Sequence, residues 1–176
     1  GKLVPQCSED EPAYNLVARI HKDRLIRQSE VGGRKSKSLP PITENSAPFT
    51  LPNNWAWVRN GELFALRKGK VPKDLSESVG SIPYLDIEAL DRGNVRRYTN
   101  DCNVPTSTTT DMLVVCDGSR SGLLLNGADG AIGSTLAIIE TPQYIQPLIR
   151  LIFKEAYERL NTTMKGAAIP HLDTAK

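Results

Sequence analysis

Apolar residues near the N-terminus follow a helical period. The stripe consists of Ala13, Leu16, Val17 and Ile20. This spacing predicts a helix over about 11–27, with Pro12 well placed in its first turn. Its short apolar face suits docking on the rest of the protein and binding a partner equally well. A basic, proline-rich stretch, Arg34–Ile42, predicts an exposed and extended linker after the helix, although its charges also suit a phosphate backbone.

From Phe49 onward, short apolar runs between turn residues predict strands. The predicted strand segments are Trp55 with Trp57, Pro83–Ile87, Met112–Cys116, Leu123–Leu125, Gly130–Ile132 and Thr135–Ile139. Asn126-Gly127 after the fourth segment is a hairpin signal. A helix from about Pro147 to Leu160 follows, with a predicted core stripe of Leu148, Leu151, Ile152, Ala156, Tyr157 and Leu160.

These patterns predict an α/β (α+β) fold. Residues 49–176 form a mostly β domain with one packed helix, and residues 1–48 supply the N-terminal helix and the linker. A length of 176 residues suits one ordinary domain with an appendage. The net charge is +2: residues 1–48 hold 8 basic and 6 acidic residues, and residues 49–176 hold 14 of each. This balance excludes a histone-like protein but leaves room for local basic clusters.

The three cysteines, Cys7, Cys102 and Cys116, are widely spaced, and with two histidines they give no zinc-site spacing. They predict buried free thiols and a cytoplasmic protein with a reducing environment. No apolar run approaches the length of about 20 residues that a membrane span needs. There is no signal peptide, so no membrane association is predicted. The chain begins at Gly1 without a methionine, and we therefore expect the natural N-terminus to lie upstream.

Familiar catalytic patterns do not fit. Gly127–Thr135 lacks the lysine of a phosphate-binding loop, and the serines of Gly118–Gly122 fall outside the register of a nucleophile elbow. We expect the second segment to form a turn or an anion-binding loop. Asp86 and Glu88 suggest a metal-dependent nuclease pair, a minor alternative because no lysine follows two positions later.

Basic residues gather in polar loops, which points to nucleic-acid contacts. Arginine forks read guanine edges, and lysines, hydroxyls and backbone N–H groups hold phosphates. The candidate DNA-binding residues are Arg67, Lys68, Lys70, Lys73, Arg92, Arg96, Arg97, Ser119 and Arg120. Lys68, Lys70 and Lys73 are the candidates for phosphate contacts, and the arginines are favoured for base edges. Because residues 49–176 carry no net charge, a protein-interaction module without DNA contact is the alternative.

Several segments, in order, resemble the specificity (S) subunit of type I restriction–modification systems. They are Gly1–Gln6 with Asp10–Ala13, Leu39–Ile42, Pro48–Val58, Gly61–Leu63, Gly69-Lys70, Ile82–Ile87, Asp111–Ser119, Gly130–Ser134 and Gly166–Leu172. The resemblance covers nearly the whole chain. No single segment is diagnostic, and the order and spacing of the segments carry the similarity.

The resemblance implies a non-catalytic target recognition domain that reads one half of a bipartite site in double-stranded DNA. It implies docking to methyltransferase (M) subunits and association with a restriction (R) subunit. S-adenosylmethionine, ATP and Mg²⁺ would belong to those partners, so no cofactor is expected in this chain. The family has two recognition domains, whereas this chain has room for one. We therefore expect a fragment or a half-subunit that forms a homodimer.

Overall fold

The computed structural model describes residues 5, 7–31, 40, 42, 43 and 46–163. Its α-helices are α1 (Ala13–Val31), α2 (Asn60–Leu63), α3 (Ile87–Arg92) and α4 (Gln146–Thr162). Its strands are β1 (Ala65–Lys68), β2 (Ile82–Leu85), β3 (Tyr98–Thr99), β4 (Thr106–Ser107), β5 (Met112–Val115), β6 (Leu124–Asn126), β7 (Gly130–Ile132) and β8 (Leu136–Glu140). A 3₁₀ turn, Gln143–Ile145, leads into α4.

The chain forms two compact units, and the first comprises Gly1–Ala65 with Thr141–Gln143. The predicted N-terminal helix is confirmed as α1, which packs against α2 and buries Ile20 completely. The Ala13 amide at its start donates to the Asn54 carbonyl at 2.8 Å. The Arg34–Ile42 linker lies mostly outside the described residues. The domain boundary at residue 49 stays a prediction.

The strand predicted at Trp55 and Trp57 is wrong. The Trp55 amide donates to the Pro52 carbonyl, and Asn54 has a φ of 72°, so the backbone turns where a strand would have to extend. Prolines and asparagines favour such turns, and here they override the alternation of the two indole rings. Trp57 packs edge-on against Phe49 with ring centroids 4.8 Å apart, and its indole N–H donates to the Phe49 carbonyl.

The second unit, Leu66–Glu140 with Tyr144–Lys176, contains two four-stranded sheets. One has the order β1-β8-β5-β6, in which β5 is antiparallel to both neighbours. The other has the order β3-β2-β7-β4, in which β2 and β7 are parallel and the outer pairs antiparallel. The strands predicted at Pro83, Met112, Gly130 and Thr135 are confirmed with small shifts, but Ile87 belongs to α3.

Both sheets contribute to one apolar core. Leu85 and Ile132 from one sheet cluster with Leu113, Val115 and Ile138 from the other, and Ala89 of α3 joins them. All four residues of β5 are buried, as expected of a strand covered on both faces. Each fully buried aliphatic side chain stabilises the fold by about 1.5–3 kcal/mol. Because the strands of this core are held in place, the loops that begin and end at them have fixed ends.

The hairpin predicted at Asn126-Gly127 is wrong, because β6 and β7 belong to different sheets. The Gly127 amide donates to the Asp111 carbonyl, and a Cβ at Gly127 would lie 2.3 Å from the Thr108 carbonyl oxygen. Glycine is therefore needed here for close backbone approach instead of for a two-residue turn. The chain leaves one sheet at this residue and enters the other.

The helix predicted over 147–160 is confirmed as α4, with Pro147 in its first turn, but its predicted core face is partly wrong. Ile149 and Phe153 are buried, whereas Leu148 and Leu151 are exposed. The helix has apolar residues on two sides, and periodicity alone cannot choose which side meets the protein.

The predicted α+β class is confirmed, with α3 and α4 packed against strands of the second unit. Across the described ranges, no helix has both the length and the apolar character needed to cross a bilayer.

Candidate nucleic-acid interface

The candidate DNA-binding residues occupy three places in the second unit. Arg67 and Lys68 end β1, and Lys70 and Lys73 lie in the loop that follows it. The second group surrounds α3 and consists of Arg92, Arg96 and Arg97. The third place is the β5–β6 turn, residues 117–122, which carries Ser119 and Arg120.

Helix α3 presents a row of carboxylates, here called the α3 acid ridge: Asp86, Glu88 and Asp91. Asp86 ends β2 and caps the helix, since its side chain accepts a hydrogen bond from the Ala89 amide at 2.9 Å. Gly93, with a φ of 66°, ends the helix in the left-handed conformation that glycine adopts without strain. These two local signals confine the ridge to less than two helical turns.

Four arginines, here called the arginine patch, pair with the α3 acid ridge: Arg92, Arg96, Arg97 and Arg120. Glu88 is shared, with its Oε1 3.7 Å from Arg92 and 2.9 Å from Arg96. Arg97 donates to Asp86 at 2.6 Å, and its guanidinium lies 4.9 Å from the centre of the Tyr84 ring. Arg120 donates to both carboxylate oxygens of Asp91. The fold thus joins arginines from α3, the loop after it and the β5–β6 turn.

Two acids of the ridge, Asp86 and Asp91, have pKa values below the ordinary value of an aspartate. Burial raises the pKa of Asp86, but the Ala89 amide and the Arg97 guanidinium outweigh it and keep the pKa below its ordinary value. The hydrogen bond from Arg120 lowers the pKa of Asp91, and the same pairing raises that of Arg120. Both shifts favour the carboxylate forms of Asp86 and Asp91 that pair with Arg97 and Arg120.

Two glycines with positive φ and several hydrogen bonds hold the β5–β6 turn in one conformation. Gly118 and Gly122 have φ values of 95° and 88°, and the buried Ser121 hydroxyl donates to the Gly118 carbonyl. The Asn161 amide of α4 donates to the carbonyls of Ser119 and Ser121. Asp117 at the start of the turn pairs with Lys68 at 3.1 Å. The predicted turn is confirmed, and Ser119 stands exposed on it.

The loop after β1 is anchored against the sheet yet exposes its lysines. The amides of Gly69 and Lys70 donate to the carbonyls of Leu136 and Ile132. A Cβ at Gly69 would lie 2.2 Å from the Gly133 carbonyl oxygen. Lys70 and Lys73 are exposed, and no carboxylate in the described part of the chain pairs with either ammonium group. Arg67, in contrast, donates to Glu140 at 2.6 Å.

The structure therefore separates the predicted residues into two kinds of group. Lys70 and Lys73 have ammonium groups available to phosphate, whereas Lys68 and the arginines already pair with carboxylates, which orient the guanidinium groups. The role of the acids was not predicted from the sequence. The spacing of four between Glu88 and Arg92 signals one pair, but Asp91 and Arg120 are 29 residues apart and only the fold brings them together.

The nuclease pair considered at Asp86 and Glu88 has another explanation. Asp86 caps a helix and pairs with Arg97, and Glu88 pairs with two arginines. Within the described residues, no group of three or more side chains is arranged to hold a metal ion. Both acids serve the fold and the arginine patch.

No protein-family model matches the chain. Curated proteins do. The type I restriction enzyme EcoAI specificity subunit of Escherichia coli is 42% identical over 71 residues, which is 39% of this chain and 12% of that protein. The type I restriction enzyme MjaVIII specificity subunit of Methanocaldococcus jannaschii is 31% identical over 130 residues, which is 70% of this chain and 30% of that protein.

This chain is similar to the specificity subunits of type I restriction enzymes. The family resemblance expected from the sequence segments is thereby confirmed. The fold agrees: the HsdS subunit of Thermoanaerobacter tengcongensis superposes with a TM-score of 0.51 at 17% identity, over 90% of this chain and 41% of that one. The matches span less than half the length of these specificity subunits.

Proposed function

We propose that this chain recognises one half of a bipartite DNA target for a type I restriction–modification complex, without a catalytic role of its own. The observation that carries the proposal is the 31% identity to a specificity subunit over 130 residues, which is 70% of this chain. The two kinds of basic group described above give the proposal its physical basis.

The two kinds of group suit two different tasks. The exposed ammonium groups of Lys70 and Lys73 suit contact with phosphates, which position a protein on DNA without reading its sequence. The arginine patch suits the reading of guanine edges, because a guanidinium whose orientation is fixed loses less freedom on forming a bidentate contact. Ser119 lies beside Arg120 and offers a hydroxyl to the same groove.

The rest of the complex supplies the chemistry in this proposal. Methyltransferase subunits bring S-adenosylmethionine, and a restriction subunit brings the site for ATP and Mg²⁺. The chain itself holds none of these cofactors and works in the cytoplasm. A second recognition domain, from a longer chain or from a second copy, reads the other half-site.

The first test measures binding of the complex reconstituted with its methyltransferase subunits. Its DNA probes are a duplex that carries the methylated motif and a duplex with one half-site scrambled. Replacing Lys70 with Ala should weaken binding to both duplexes and reduce the salt slope by about 1, since one phosphate contact is lost. Lys154→Ala, which removes an exposed charge from α4, is the matched control. Equal affinities and slopes for the two variants would refute the phosphate assignment.

The second test uses the same complex and asks which residues read bases. Replacing Arg96 with Ala should cost about 1–3 kcal/mol on the motif duplex and relax the preference at one base pair. The scrambled duplex should lose much less. An Arg96→Ala complex that keeps the full preference at every position would remove Arg96 from the reading surface.

A further inference from the structure

The three carboxylates of the α3 acid ridge do not have equal structural value. Asp86 caps α3 through the Ala89 amide, and Asp91 holds the β5–β6 turn through two bonds to Arg120. Within the described residues, the carboxylate of Glu88 pairs only with Arg92 and Arg96. Its side chain is 39% exposed, and those of the two arginines are 75% and 63% exposed. Such exposed pairs add little to the stability of a fold.

The single negative charge of Glu88 is outnumbered by the positive charges of the two arginines that pair with it. One carboxylate faces two guanidinium groups, so this corner of the surface keeps one positive charge in excess. Each guanidinium has five N–H donors, and a carboxylate engages two of them at most. The remaining donors of Arg92 and Arg96 stay available, while the position of each group is restrained by Glu88.

We propose that Glu88 is a specificity-determining residue of the DNA-reading surface. This inference rests on the proposed function. Non-specific binding arises from attraction to phosphates, and Glu88 opposes it in two ways: it repels phosphate, and it competes with phosphate for Arg92 and Arg96. A guanine edge at the correct position accepts hydrogen bonds from the free N–H groups of Arg92 or Arg96 without displacing the Glu88 carboxylate. Glu88 therefore penalises binding to wrong sequences more than binding to the target.

The test compares Glu88→Gln with Glu155→Gln in the reconstituted complex. Gln keeps the shape of the side chain and removes its charge, and Glu155 is an exposed acid of α4 outside the arginine patch. Both variants remove one negative charge, so a difference between them reports the position of that charge and not the change in net charge. Affinity is measured for the motif duplex and for a fully scrambled duplex at several salt concentrations, and thermal unfolding is followed in parallel.

We expect Glu88→Gln to tighten binding to the scrambled duplex by about 3- to 10-fold and to steepen its salt slope by about 1 to 2. The affinity for the motif duplex should change less, so the ratio of the two affinities falls. Thermal unfolding should match that of the wild-type complex. A purely structural role predicts the opposite, namely weaker binding to both duplexes together with a lower unfolding temperature.

Two further results would overturn the inference about Glu88 and leave the proposed function standing. One is a Glu88→Gln complex whose two affinities match those of Glu155→Gln. The other is a selective loss of affinity for the motif duplex, which would make Glu88 a direct reader of a base. If the wild-type complex itself fails to prefer the motif duplex, the proposed function falls and the inference falls with it.

Discussion

At the scale of single residues, Asp86 combines a helix cap with an ion pair. Its pKa lies below the ordinary value of 3.8 in the fold, because the Ala89 amide and Arg97 outweigh the effect of burial. The unfolded chain therefore binds a proton at higher pH than the folded protein does. The stability that Asp86 contributes is complete above the ordinary pKa and is lost as the pH falls through the folded pKa.

Replacing Asp86 with Asn should therefore flatten the loss of stability on acidification. It should also lower the free energy of unfolding at pH 7 by up to about 1 kcal/mol, because the side-chain oxygen of Asn accepts a weaker hydrogen bond from the Ala89 amide than the carboxylate does. Urea unfolding between pH 3 and pH 7 measures both effects. Asp129→Asn, at an exposed position between β6 and β7, is the control. Identical pH dependence in the two variants would contradict the role of Asp86.

Cys116 is a second residue whose environment sets its chemistry. Burial raises the pKa of its thiol to about 11. The burial predicted for all three cysteines is confirmed for Cys116 and is wrong for Cys7 and Cys102, which are exposed. The reactive species is the thiolate. In the native protein at pH 8, iodoacetamide should therefore modify two thiols, and Cys116 should react only after unfolding. Mass spectrometry of the modified protein counts them, and Cys116→Ala should remove the slow site. Rapid labelling of all three thiols would contradict the packing of β5.

At the scale of secondary-structure elements, α4 shows where sequence periodicity stops being informative. The helix and its first-turn proline are predictable, but Leu148 and Leu151 are exposed while Ile149 and Phe153 are buried. Two apolar sides compete, and the choice depends on sheets formed by residues far away in sequence. The hairpin signal at Asn126-Gly127 fails for the same kind of reason, because the partner of β6 is β5.

The assignment of the buried face of α4 has a direct test. Ile149→Ala should lower the free energy of unfolding by about 2–5 kcal/mol, since it leaves a cavity around a fully buried side chain. Leu151→Ala removes a similar volume from an exposed position and should cost less than about 1 kcal/mol. Urea denaturation of both variants gives the comparison. A larger loss for Leu151→Ala would mean that the other face of α4 is buried.

At the scale of the whole molecule, a net charge of +2 conceals a local organisation of charge. The basic loops are visible in the sequence, and the structure places them after β1, around α3 and between β5 and β6. Their pairing with acids was not visible, because Lys68 with Asp117 and Arg120 with Asp91 join residues distant along the chain. Under the proposed function, this pairing lets a near-neutral chain present arginines to DNA. Its modest charge would then favour base reading over indiscriminate attraction to phosphate.

The central claim is that residues 49–176 carry the specificity for one half-site. The most direct measurement transplants them into a type I specificity subunit of known target, in place of one of its recognition domains, and determines the methylated motif by sequencing the modified DNA. We predict that one half of the motif changes, while the other half retains its sequence. A hybrid complex that methylates the original motif unchanged would contradict the claim.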